Sequence, residues 1–165
     1  MVLRSQSVLL DHHYLWSTRF VCERLRVGGI SEATLFRYFL AIMAFDWLQF
    51  TSIATTPAAS ITAWSLVSSW STLLITIAGL VYLYLRNGGA QGRQFLYRYF
   101  PLSVTVGWKF VVAGFVSMWF VAWVLAGASA EARGWTSTIV LAAINLVMLW
   151  RIGAHLASLA HEPAA

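Results

Sequence analysis

The stretch at 102–126, LSVTVGWKFVVAGFVSMWFVAWVLA, carries one charged residue, Lys109, among side chains that are otherwise apolar, small or hydroxylated. A helix needs about 20 such residues to cross a hydrocarbon core roughly 30 Å thick, and this run is long enough to do so with some tilt. Three further runs meet the same requirement, near 33–53, 61–85 and 135–156. Of the 165 residues, 59% are hydrophobic and only 10% charged, too apolar a mixture for an ordinary soluble domain. The expected fold class is therefore an all-α membrane protein: a four-transmembrane-helix antiparallel bundle over 31–156, preceded by a surface segment at 1–30 and followed by a short tail at 157–165. The connections ATTPAAS and GASAEARG are short, which predicts that sequential spans pack as neighbours.

Orientation follows from the basic residues. Arg4, Arg19, Arg24 and Arg26 precede the first span, Arg86, Arg93 and Arg98 lie between the second and third, and Arg151 closes the fourth. The loop between the first two spans carries no charge, and the loop between the last two holds only Arg133 beside Glu131. An even number of spans puts the three basic regions on one side, so the positive-inside rule predicts that both termini are cytoplasmic. A bacterial inner membrane is the expected location.

A cleavable signal needs an uninterrupted apolar core of about 7–15 residues, and the run VLL near the N-terminus is broken at once by Asp11, His12 and His13. Leu10, Tyr14, Val21 and Leu25 recur instead at helical spacing, with Arg19, Glu23 and Arg26 largely on another side. That pattern predicts an amphipathic helix lying on the membrane surface. Gly28 and Gly29 can end it, and Ser31 before Glu32 can cap the first span.

The connection at 86–101, RNGGAQGRQFLYRYFP, has glycines but lacks the GxxxxGK[ST] pattern of a phosphate loop. Asn87, Gly88 and Gly89 more simply stop the second span, and Pro101 suits the first turn of the third. Between them, Arg93 and Arg98 interleaved with Tyr97 and Tyr99 make a basic-aromatic segment suited to anionic lipid headgroups or to a protein partner.

The costliest residue is Asp46, about 20 Å along the first span, where an ionised carboxylate cannot face lipid cheaply. Arg37 falls on the opposite side of the same helix and close enough to the surface to snorkel. Lys109 reaches a compatible depth and shares a face with Thr105, Ala113 and Ser117. With Gln49 beside Asp46, Asn145 on a face with Thr138 and Ala142, and a stripe of Ser65, Ser69, Thr72 and Thr76, the sequence outlines an intramembrane polar seam. Such a seam either fixes helix register by mutual hydrogen bonding or marks a proton or ion path. A third arrangement, with Lys109 snorkelling to the cytoplasm and Asp46 protonated, is equally compatible with the spacing.

No motif names a reaction. His12, His13, His155 and His161 are not placed in facing spans as a haem requires, HExxH and GxSxG are absent, and the lone Cys22 belongs to no zinc spacing. The expectations are no metal, no cofactor, no catalytic residue and no nucleic acid partner. Three function classes remain: a non-catalytic membrane subunit or scaffold, whose partners are the bilayer and another membrane protein or a second copy; a small oligomeric transporter or proton-coupled carrier using Asp46 and Lys109; and a lipid-modifying enzyme. The first requires no missing motif.

Overall fold

Ser17 starts the first described helix, its Oγ accepting the Phe20 N–H at 3.3 Å in an N-cap. In the computed structural model the chain is described at residues 16–28, 30–54, 62–92 and 94–160, with backbone alone for 45–54. Helix α1, Thr18–Arg26, buries Val21, Cys22 and Leu25 and leaves Arg19, Glu23, Arg24 and Arg26 exposed. This is the two-faced helix that the spacing predicts, although Leu10 and Tyr14 lie outside the described residues. Gly28 then takes a φ of +65°, a left-handed conformation that a Cβ disfavours. The Ser31 hydroxyl accepts the Thr34 N–H at 3.3 Å, the expected cap of helix α2, Glu32–Ala54.

Helix α3, Ala63–Arg86, opens on a reciprocal box in which the Thr62 and Ser65 side chains each bond the other's backbone N–H. It ends where expected, at Asn87 followed by Gly88 and Gly89 with φ of +99° and +58°. After a single 3-10 turn, Gly89–Gln91, helix α4 runs over Phe95–Val124, and helix α5 over Ala130–Ala160. Among the described residues every regular element is helical. Helices α3, α4 and α5 are long and apolar enough to cross a membrane, whereas the 23 residues of α2 include Glu32, Arg37 and Asp46.

Pro101 does not open a helix. It lies inside α4, which begins at Phe95, so the loop shrinks to 87–94 and most of the aromatic segment becomes helix. Ring packing extends the helix backward: Phe95 stacks on Tyr99 at 5.4 Å and meets Tyr84 of α3 edge-on at 5.7 Å. Proline inside a helix forfeits the bond to the carbonyl four residues earlier, that of Tyr97.

The helices associate in the order α3, α5, α4, α2, with α1 lying across α4 and α5. Short loops therefore do not make all sequential spans neighbours: α4 and α5 pair, but α3 packs on α5 rather than on α2 or α4. Glycines decide this. A Cβ on Gly134 would strike the Trp64 indole, one on Gly79 would strike Leu149, and one on Gly153 would strike the Tyr82 ring. Three large side chains of one partner or the other thus sit on three bare backbones along the α3–α5 contact, the close approach on which helix association in lipid depends.

Burial is concentrated at the α1 end. Val21, Leu25 and Ile30 cluster there with Leu83, Leu102, Val106, Ile152, Leu156 and Leu159. Toward the turn at 125–129 the large side chains stay open: Phe115, Trp119 and Trp123 are 75%, 73% and 67% exposed. In a bilayer these surfaces meet acyl chains as apolar as themselves, and covering them yields no hydrophobic gain.

Candidate functional site

The most built feature outside the core is a cleft of about 690 Å³ between α1, α4 and α5. Amphipathicity makes it: once Val21, Cys22 and Leu25 turn to the helices beneath, Arg19, Glu23 and Arg26 border the opening. Helix α4 contributes Val106, Lys109 and Phe110, and the last turns of α5 contribute Arg151, His155 and Ser158. Among the described residues, four cationic side chains, Arg19, Arg26, Lys109 and Arg151, thus border the space against one carboxylate, Glu23.

Lys109 defines its floor. The ammonium donates to Thr18 Oγ1 at 2.9 Å, tying α4 to the first residue of α1. An ammonium has three N–H donors, so this contact uses only part of its capacity. Cys22 Sγ lies 3.9 Å from His155 Nδ1, a second link between α1 and α5. The charges of Arg19 and Arg151 have no ion-pair partner among the described residues. Arg24 is directed away, its guanidinium stacked over Phe20 at 5.3 Å.

Among the described members of the intramembrane seam, side chains on α3 and α5 bond within their own helices. Asn145 donates to its own helix, to the Leu141 carbonyl at 3.0 Å, and Thr138 Oγ1 donates to the Gly134 carbonyl at 3.0 Å. On α3, Ser69 and Thr72 likewise donate to the carbonyls of Ser65 and Ser68. Asn145 borders a second cavity, about 490 Å³, between α2, α4 and α5 together with Ser103, whose buried Oγ has no partner among the described residues. Lys109 lines the first cavity and not this one. The side chains of Asp46 and Gln49 lie outside the described residues, so the Asp46–Lys109 pairing is left as the sequence states it.

The basic-aromatic segment is used largely within the molecule. Tyr97 Oη accepts the Ile30 N–H at 3.1 Å and donates to the Ile30 carbonyl at 3.0 Å, clasping the link between α1 and α2 to α4. Arg98 donates to Oδ1 of the buried Asn87 at 3.3 Å, bracing the 87–94 loop. Tyr99 stands between Phe95 and Phe100. Arg93 lies outside the described residues.

Sequence reasoning missed that Arg151 and His155 share a cleft with α1. Their signal was faint: both lie on one face of the final turns of α5, at i and i+4, with Ser158 at i+7. No family model, curated protein or solved structure matches this chain, and the reading of the site rests on its geometry.

Proposed function

We propose that the chain is a four-span protein of the bacterial inner membrane, with both termini cytoplasmic, that serves as a non-catalytic subunit or scaffold of a larger membrane assembly. Helix α2 is the fourth span in this reading, and the basic residues at the α1 end set the orientation. The observation that carries the scaffold role is the seating of α1. One side of it is buried in the core of the bundle, while Arg19, Glu23, Arg24 and Arg26 stand exposed, in this reading at the level of the headgroups. A helix merely resting on lipid needs no such anchorage; a helix clamped to two others presents its charges in a fixed pattern. The row-like order of the spans supports the same reading, because a row leaves α2 and α3 each with an open flank for another membrane helix.

Gentle solubilisation followed by identification of what comes with the protein tests this. A fixed protein partner, lost when Glu23→Lys and Arg24→Glu reverse charges on the exposed face, is the expected result. Recovery of the protein alone, with the cells carrying those substitutions unaffected, would refute it. The carrier reading draws support from the second cavity, where Ser103 and Asn145 place polar groups at membrane depth; flux into liposomes that Asn145→Leu abolishes would favour it.

A further inference from the structure

The cationic cleft has a definable depth. Counting about 20 residues per hydrocarbon span back from Val124, at the 125–129 turn, reaches Thr105 on α4; counting forward from Trp135, past the charged Glu131 and Arg133, reaches Ala154 on α5. Lys109 and Arg151 therefore sit about one turn inside that boundary, within snorkelling reach of it, and His155 lies at it. The cleft straddles the level where lipid phosphates lie. Its inner wall is apolar, with Val106 and Phe110 from α4, and its outer wall is charged, with Arg19 and Arg26 from α1 and Arg151 from α5.

We propose that this cleft is a binding site for a phosphate ester, presented at the bilayer surface as the headgroup of an anionic lipid or from solution as a free phosphate ester. Three lines of geometry converge on that ligand. Among the described residues the charge is one-sided, four cations to one carboxylate, and is drawn from three helices rather than from a single solvated face. The donors suit a tetrahedral anion: two guanidinium forks from opposite walls, Arg19 and Arg151, and the Lys109 ammonium, held at a fixed point by Thr18, with N–H bonds to spare. The volume of about 690 Å³ exceeds what a bare ion fills and leaves room for the glycerol portion of a headgroup. The first residues of α1, Ser17 and Thr18, also line the cleft, so the positive end of that helix dipole adds to the field. The apolar wall favours a ligand arriving with its acyl chains in the membrane. Glu23 at the rim disfavours ligands whose negative charge extends beyond the phosphate.

This site does not depend on the scaffold role, since a protein without partners would bind the same ligand. Native mass spectrometry of the full chain from mixed phosphatidylglycerol and phosphatidylcholine micelles reads it directly. The wild type should retain phosphatidylglycerol in preference. Arg19→Gln with Arg151→Gln should weaken that retention roughly 30-fold, about five-fold for each charge removed at the surface. Arg24→Gln with Arg86→Gln, which lowers the net charge equally at the same end but outside the cleft, should leave most of it. Arg19→Lys with Arg151→Lys, which keeps both charges, should retain more lipid than the Gln pair, and equal melting temperatures exclude misfolding as the cause. In a second arm, glycerol phosphate is titrated against the wild type in neutral detergent by calorimetry. Binding there that the Gln pair abolishes would assign the site to a soluble ester, and lipid retention without it would assign it to the headgroup. Equal losses in the cleft and control pairs, with no binding of glycerol phosphate, would overturn the proposal.

Discussion

Replacing Tyr97 with Phe removes one oxygen atom and keeps the shape of the ring, so its effect isolates the clasp on Ile30. That oxygen serves both backbone groups of Ile30, which is only 5% exposed. A buried backbone group deprived of its partner costs about 1–3 kcal/mol, and two groups would give roughly 2–6. Tyr97 itself is half-buried, so water can reach one side of the vacated position and recover part of the loss. The expected destabilisation is about 1–3 kcal/mol. Equilibrium unfolding of the purified protein in mixed micelles measures it, with Tyr99→Phe as the control, because Tyr99 contributes ring contacts rather than a backbone clasp. Amide exchange should also quicken at 30–35, the link that Tyr97 holds. A Tyr97→Phe protein no less stable than Tyr99→Phe, with unchanged exchange at that link, would show that the clasp does not secure the α1–α2 connection.

Reporter fusions at residue 89 and after residue 160 should report cytoplasm, and one near Pro57 the opposite side; an outside signal at residue 89 would invert the topology. Gly153→Leu should disrupt the seat of Tyr82 and cost about 1–3 kcal/mol by overpacking, whereas Gly114→Ala, which meets nothing within 4 Å, should be tolerated; thermal unfolding of both variants decides. Thr18→Val and Lys109→Met should show a coupling of about 0.5–3 kcal/mol in a double-mutant cycle, as expected for a contact at 2.9 Å. Additive losses there, with coupling instead between Lys109→Met and Asp46→Asn, would return Lys109 to the intramembrane seam.

What the sequence made legible was local. Apolar run length located α3, α4 and α5; alternating faces located α1; and Ser31, Gly88 and Gly89 supplied the cap and stop where they were expected. Each of these depends on residues a few positions apart. The pairing of α3 with α5 does not, because it rests on the fit of Trp64, Leu149 and Tyr82 to Gly134, Gly79 and Gly153 across long stretches of chain, and hydropathy is blind to such complementarity. The start of α4 was missed because Pro101 looked like a beginning, while the stacking of Phe95 and Tyr99 carried the helix back past it. Lys109 exposes a different limit. Its stem is long enough to point to either side of its depth, and its bond to Thr18 is made to a helix 91 residues away in the chain, a contact that spacing does not reveal. The cleft was illegible for the same reason, being assembled from α1 and from segments of α4 and α5 far from it in the chain.

The crowding of buried residues at the α1 end bears on the order in which the protein can be completed during synthesis. Val21 and Leu25 of α1 emerge early, yet their core partners include Ile152, Leu156 and Leu159, among the last described residues to leave the ribosome. Until α5 has been threaded, α1 has half a docking surface, and its apolar side must wait at the lipid boundary, where an amphipathic helix is at home. Synthesis of α5 then delivers the missing half to the same end of the bundle. Docking of α1 is thus completed by a helix made much later, and disruption of the last turns of α5 would leave the other helices inserted but α1 without its seat.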